Sequence, residues 1–146
     1  MSLDGAYDPA NIFARIIRGE IPAHKVFEDE LTLAFMDVFP QSRGHTLVIP
    51  KTGQARNFLE LERPLIAPLL QTVQTVARAV TAALNPDGVI ITQFNGAPAG
   101  QTVFHLHFHI IPRYEGQALK GHGQSPMADG EALAALAREI AAHLAP

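Results

Sequence analysis

Hydrophobic and polar residues along this 146-residue chain change their spacing several times, and each change marks a predicted element. Short alternating stretches predict five strands, whereas apolar residues spaced three and four apart predict helices. The strands are expected over 24–29, 31–37, 45–50, 89–94 and 104–111, and the helices over 10–18, 62–84 and 129–144. Strands in succession with intervening helices favour an α+β fold, in a single domain spanning 1–146.

Turn-forming residues support several of these boundaries. Asp8 and Pro9 are typical of a helix start, and Gly19 is typical of a helix end. Pro64 lies near the start of the long helix, but Pro68 falls within its first two turns and leaves its first residue open.

One predicted strand carries an unusual array of side chains. His105, His107 and His109 alternate with apolar residues at 104, 106, 108 and 110. A regular strand would place the imidazoles on one face, about 6.6 Å apart, and turn the apolar residues into the core. Each ring has two nitrogens that need partners, so the row suits chemistry on an anion or metal ligation better than core packing. Zinc binding and a hydrogen-bonded wet face remain alternatives on spacing alone.

A loop with two glycines precedes that strand, from Asn95 to Thr102. Glycine lets the backbone approach a ligand closely, and successive amides can cradle a phosphate. The amides of Gly100 and Gln101, the Thr102 hydroxyl and Asn95 are the candidate donors. An ordinary hairpin connection is the alternative, but the position beside the histidines favours a phosphate ligand.

Four motifs occur in the order found in one known family. They cover residues 11–22, 33–37, 44–51 and 99–113. With them the chain resembles the histidine triad (HIT) nucleotide hydrolases and transferases, specifically the bacterial branch related to adenosine 5'-phosphoramidases. The resemblance covers nearly all of residues 9–113. It implies a HIT-like fold, a five-stranded antiparallel sheet with packed helices, paired as a homodimer through the long helix and the 89–94 strand.

The resemblance also implies a role for each histidine. His107 attacks the α-phosphorus and forms a covalent nucleotidyl-histidine intermediate, which water hydrolyses to release the nucleoside monophosphate. His105 and His109 flank it, one to orient or polarise it and the other to hold a phosphate oxygen. His45 matches a fourth histidine of this network, although without its motif it would be interpreted as a surface residue at a strand end.

Recognition of the nucleotide is implied in the same way. Asp37 matches the aspartate that accepts hydrogen bonds from both ribose hydroxyls. The apolar walls of the base pocket match Ile12, Phe13, Ile16, Phe35, Val38 and Leu47, for some of which plain core is the alternative. The implied substrate is a purine nucleotide.

The chain departs from parts of that family in two ways. Residues 11–14 read Asn-Ile-Phe-Ala where some bacterial members carry a zinc-binding Cys-x-x-Cys, and the chain has no cysteine. No metal or cofactor is therefore expected. His109 stands where the uridylyltransferase branch has glutamine, which favours hydrolysis over nucleotidyl transfer. A dinucleoside polyphosphate hydrolase, a non-catalytic nucleotide-binding module and a metal-ligating protein remain alternatives.

Composition narrows the partners further. A net charge of −3, with 11 lysines and arginines that form no run, argues against a nucleic-acid-binding face. There is no N-terminal apolar segment and no run of about 18 apolar residues, so a cytoplasmic protein without membrane contact is expected. His24, His122 and His143 match no catalytic position and are predicted to lie on the surface.

Overall fold

The computed structural model describes residues 2–121 and 125–144. The elements are α1 (Ile12–Ile17), β1 (Lys25–Glu28), β2 (Thr32–Met36), β3 (Thr46–Pro50), α2 (Arg63–Leu84), β4 (Gly88–Thr92), β5 (Phe108–Arg113) and α3 (Gly130–Ala141). Short 3-10 turns lie at Phe58–Glu60 and Ala97–Ala99. No helix within the described ranges is long and apolar enough to cross a membrane.

The five strands form one sheet in the order β1-β2-β3-β5-β4, with antiparallel neighbours throughout. The predicted α+β class and five-stranded antiparallel sheet are therefore confirmed. Every residue of β2 and of β3 is buried, because these central strands are covered on both faces.

Alternate residues of β2 enter two different apolar clusters. Leu33 and Phe35 pack with Phe13 and Ile16 of α1, whereas Ala34 and Met36 belong to the larger core that α2 and α3 complete. Successive side chains of a strand point to opposite faces. Helix α1 therefore covers one face of the sheet, and α2 and α3 cover the other.

The predicted strand over 104–111 is wrong at its beginning, since β5 starts at Phe108. The preceding backbone turns toward another loop, where the amide of Leu106 donates to the carbonyl of Ala55 at 3.0 Å. Leu106 is nevertheless fully buried, as predicted, while Phe104 is only partly buried. The Phe104 ring lies under the Arg56 guanidinium, 5.1 Å from ring centroid to Cζ.

The structure also differs from two smaller predictions. Helix α3 ends at Ala141, short of the predicted residue 144. His143 is exposed as predicted, but His24 is partly buried, with its Nε2 3.9 Å from the position of a Cβ built on Gly130. His122 lies outside the described residues.

Candidate active site

Four histidines come together where β3 and β5 pair. His109 lies on β5 opposite Leu47 of β3, His45 directly precedes β3, and His105 and His107 precede β5. Each of the four is at most 6% exposed. Buried imidazole nitrogens need hydrogen-bond partners, and those partners define which nitrogen of each neutral ring carries the proton.

The turn before β3 determines where His45 lies. Gly44 has a φ of +95°, and a Cβ at that position would collide with the Leu84 side chain. Only glycine adopts this conformation without strain and leaves room for α2. The His45 carbonyl then accepts the amide of Asp37 at 3.0 Å, which holds these two predicted site residues together.

His105 is held at both ring nitrogens. Its Nε2 lies 2.9 Å from the carbonyl oxygen of Pro50, and because a carbonyl can only accept, Nε2 carries the proton. Nδ1 therefore accepts from the Tyr7 hydroxyl at 2.7 Å. Burial lowers the pKa of His105, so this ring is neutral at neutral pH.

His107 has the opposite tautomer. Its Nδ1 donates to the backbone carbonyl of His105 at 2.8 Å, which leaves the lone pair on Nε2. The ring packs edge-on against Phe13, with centroids 4.9 Å apart, and lies 5.0 Å from the ring of His109. The two imidazoles are closer than the roughly 6.6 Å of a regular strand, because His107 lies outside β5.

His45 and His109 form a directed hydrogen-bond chain. The amide of Gln41 donates to His45 Nδ1 at 3.0 Å, so the proton of neutral His45 is on Nε2. That proton is donated to His109 Nδ1 at 2.9 Å. Neutral His109 therefore carries its own proton on Nε2, which makes it a donor.

Asp37 lies beside this chain. Its Oδ1 accepts the amide of Phe39 at 2.8 Å, and its Oδ2 is 3.5 Å from His45 Nε2. Its side chain is 16% exposed. A carboxylate accepts hydrogen bonds and does not donate them, as the predicted role of Asp37 toward two ribose hydroxyls requires.

Within the described ranges, Asp37, His45 and His109 could supply three ligands to a metal ion, since their ligand atoms lie within 4.8 Å of one another. The hydrogen bonding does not fit that role. A metal-bound imidazole donates through its other nitrogen, but Nδ1 of His45 accepts a hydrogen bond from Gln41. The geometry therefore matches a proton-carrying chain better than a metal centre.

The backbone amides of Gly100 and Gln101, which were predicted to bind phosphate, donate to carbonyls within the glycine loop. Gly100 N donates to Ala97 O at 3.0 Å, and Gln101 N donates to Gly96 O at 3.1 Å. In this conformation both amides donate within the loop, and their role toward a phosphate stays a prediction. Thr102, by contrast, is exposed, and its hydroxyl stays a candidate donor.

Gln101 instead builds the loop through its side chain, which is 3% exposed. Its Oε1 accepts from Gly96 N at 2.8 Å, and its Nε2 donates to the carbonyls of Arg56 at 2.6 Å and Val103 at 3.0 Å. These bonds fix the loop against the segment that leads to the histidines.

The Asn95 side chain also ties loops together. Its Oδ1 accepts from Phe58 N at 2.9 Å and from Gln93 Nε2 at 2.8 Å. Next to it, the Phe94 ring lies 5.4 Å from the His109 ring and 3.6 Å from the position of a Cβ on Gly100. The glycine loop and the histidines are therefore in contact through Phe94.

The residues predicted to line the base pocket separate into groups. Phe13, Ile16, Phe35 and Leu47 are 3–6% exposed and form one core cluster. For these four the plain-core alternative describes their position, although Phe13 also touches His107. Val38 packs against the core on the other face. Ile12 is 45% exposed and offers apolar surface to a ligand.

Three hydrogen-bond partners of the site were missed in the sequence. Tyr7 lies in the N-terminal segment before α1, where the sequence has no periodic pattern. Pro50 and Gln41 act through backbone atoms, which every residue type has.

The fold and site define an α+β protein with a histidine-centred candidate active site beside a glycine loop. Residues 18–116 match the HIT domain family model. The chain belongs to the HIT family, and this membership supports a nucleotide hydrolase in general.

Relatives and solved structures agree with this assignment. The chain is 48% identical to Protein hit of Bacillus subtilis over 103 residues, which are 70% of each chain. It is 44% identical to adenosine 5'-monophosphoramidase hnt1 of Schizosaccharomyces pombe over 102 residues, 70% of this chain and 73% of that one. A Hit-like protein from Bartonella henselae superposes with a TM-score of 0.89 at 47% identity, covering 96% of this chain and 100% of that chain.

Proposed function

We propose that this protein is a nucleotide-binding hydrolase that cleaves purine nucleoside phosphoramidates or related nucleotidyl conjugates at the α-phosphorus. The reaction passes through a covalent nucleotidyl-histidine intermediate and releases the nucleoside monophosphate. The observation that carries the proposal is the tautomer of His107. Because its Nδ1–H donates to the His105 carbonyl, the lone pair of the neutral ring is on Nε2, the nitrogen that attacks phosphorus in the proposed reaction.

The chemistry has two steps. In the first, His107 Nε2 forms a bond to the α-phosphorus while the bond to the amine or other leaving group breaks, and the leaving group keeps the electron pair and takes up a proton. In the second, water attacks the phosphorus and releases a proton that replaces the one taken up in the first step. The bond between the phosphorus and His107 Nε2 breaks, and its electron pair returns to Nε2. A neutral imidazole suits both steps, since it is nucleophilic at pH 7 and leaves readily.

Charge on the phosphate oxygens needs positioned donors. In its neutral form His109 carries its proton on Nε2, since its Nδ1 accepts from His45, and from there it donates to a non-bridging oxygen in the proposed reaction. The Thr102 hydroxyl is a second donor, to an oxygen or to the leaving group. Such preorganised dipoles stabilise the charge that develops in the transition state. Gly100, Gln101 and Asn95 support binding by holding the loop in place.

We propose that the active protein is a homodimer. Strand β4 is at the edge of the sheet, and Ile91 on it is 51% exposed while Leu70 on α2 is 41% exposed. Ile91 and Leu70 line an apolar groove between β4 and α2. Pairing of β4 with its copy would continue the sheet and cover this groove. Sedimentation equilibrium should give twice the chain mass; a monomer at micromolar concentration contradicts the proposal.

A substrate panel tests the proposed reaction. We expect the highest kcat/KM on adenosine or guanosine phosphoramidates, compared with aminoacyl adenylates and dinucleoside polyphosphates, because the ratio reports differential binding of the transition state. The His107→Ala variant, purified alongside, controls for contaminating hydrolases. A preference for dinucleoside polyphosphates would instead identify the protein as a dinucleoside polyphosphate hydrolase. If no conjugate is turned over, the remaining interpretation is a non-catalytic nucleotide-binding module.

Turnover should survive exhaustive chelation. The expected nucleophile is an imidazole, and the Gln41 amide directs the proton of His45 to the nitrogen that a metal would need. Initial rates before and after dialysis against a chelator measure this. Loss of activity that is restored by added zinc would contradict both the tautomer assignment and the nucleophilic mechanism.

A further inference from the structure

The segment before α1 is attached at both ends and passes beside the histidines. Near its start, Asn57 Nδ2 donates to the carbonyl of Leu3 at 3.0 Å, and the Leu3 side chain packs at Gly96. Near its end, Arg18 Nη1 donates to the carbonyl of Pro9 at 2.8 Å. Tyr7 lies between these attachments.

Tyr7 reaches the first histidine of the triad. Its hydroxyl lies 2.7 Å from His105 Nδ1, and the two rings meet edge-on with centroids 5.8 Å apart. The direction of the bond follows from the opposite side of the imidazole, where Nε2–H donates to Pro50 O. Nδ1 has no proton in that tautomer, so the tyrosine donates.

We propose that Tyr7 is a positioning residue for the triad, acting through His105 on the nucleophile. This inference rests on the proposed role of His107. With both of its nitrogens bonded, the His105 side chain has little freedom to rotate. Its backbone carbonyl, which accepts Nδ1–H of His107 at 2.8 Å, is thereby held toward that ring. The Tyr7 hydroxyl thus helps to keep Nε2 of His107 directed at phosphorus.

The surroundings of Tyr7 explain why a hydroxyl is needed there. Tyr7 and His105 line a cavity of about 220 Å³ together with Arg18 and Lys51. The two cations are paired, Arg18 with Glu20 and Lys51 with Glu28, each at 2.7 Å. Water entering this cavity could compete for Nδ1 of His105. The Tyr7 hydroxyl occupies this position instead and gives His105 Nδ1 a fixed hydrogen-bond donor.

Tyr7→Phe removes the hydroxyl and keeps the ring. We expect kcat on a nucleoside phosphoramidate to fall about fivefold, within the roughly two- to tenfold that one hydrogen bond accounts for. KM should stay within about twofold, because the Tyr7 hydroxyl bonds to His105, which in this proposal acts on the nucleophile and not on the ribose. Tyr114→Phe is the matched control, since the Tyr114 hydroxyl donates to the carbonyl of Arg43 at 2.8 Å and not to a histidine.

Nitrogen-15 NMR of the histidine side chains provides a readout that does not depend on turnover. In Tyr7→Phe the Nδ1 resonance of His105 should shift from its wild-type position, because the fixed phenol donor is lost and at most a mobile water replaces it, whereas Tyr114→Phe should leave it unchanged. An unchanged resonance, or an equal loss of kcat in both variants, overturns the role of Tyr7. Wild-type protein that is inactive on every conjugate refutes the proposed function, while the resonance still decides whether Tyr7 holds His105.

Discussion

Replacing His107 with alanine is expected to lower kcat on a nucleoside phosphoramidate by several orders of magnitude, because the substitution removes the attacking nitrogen itself. Binding of the nucleoside monophosphate should persist, since Asp37 and His109 remain. Initial-rate assays measure kcat, and calorimetric titration measures the affinity for the nucleoside monophosphate. His143→Ala is the matched control, because His143 is an exposed histidine outside the site.

The same prediction has a direct chemical readout. Rapid acid quench of the wild-type protein with a slowly hydrolysed substrate should trap one nucleotidyl adduct per chain, located on His107 by peptide mass. His45→Ala should cost less activity, since it removes the donor to His109 Nδ1 and not the nucleophile. An adduct on His105 or His109, or full activity in His107→Ala, would overturn these roles. Melting temperatures of each variant separate loss of chemistry from loss of folding.

Asp37→Asn is expected to weaken nucleotide binding by about 1.5–3 kcal/mol, the range for hydrogen bonds to a charged group. The loss should be smaller for a 2′-deoxynucleotide, which lacks one of the two hydroxyls. The Asn side chain retains an oxygen for the Phe39 amide, so the turn should survive. Titration calorimetry with matched ribo- and deoxyribonucleotides measures both effects.

A suitable control for that variant is Asp29→Asn. Asp29 also accepts an amide two residues further on, from Leu31 at 2.9 Å, but it lies at the β1–β2 turn. The Asp29→Asn substitution should leave the affinity for the nucleotide unchanged. A ribose-to-deoxyribose preference that is the same in wild type and Asp37→Asn would remove Asp37 from the sugar site.

Much of the fold could be predicted from the chain because its elements have strong local signals. The long helix was expected over 62–84 and forms as Arg63–Leu84, with Pro64 in its first turn and Pro68 accommodated inside it. The start of β5 could not be predicted, since the histidine segment alternates as a strand does. Its backbone bonds instead to Ala55, about fifty residues away in sequence.

The base pocket shows a similar limit. Apolar residues in α1 and β2 fit a pocket wall or a core equally well from their periodicity. Packing of α1 on the sheet buries Phe13, Ile16 and Phe35 and leaves Ile12 exposed. Which apolar side chain meets a ligand thus depends on how α1 is rotated against the sheet, and no local pattern encodes that rotation.

The sequence alone determined which chemical groups this protein possesses: four histidines in two motifs, an aspartate after a buried strand and a glycine loop, all of the HIT pattern. Only the tertiary structure decided the protonation pattern of those groups. The tautomers of His105 and His45 follow from Pro50 O and from Gln41 N. Hydrogen bonds to backbone atoms and to distant side chains depend on chain geometry, because every residue type offers a carbonyl and nearly every one an amide.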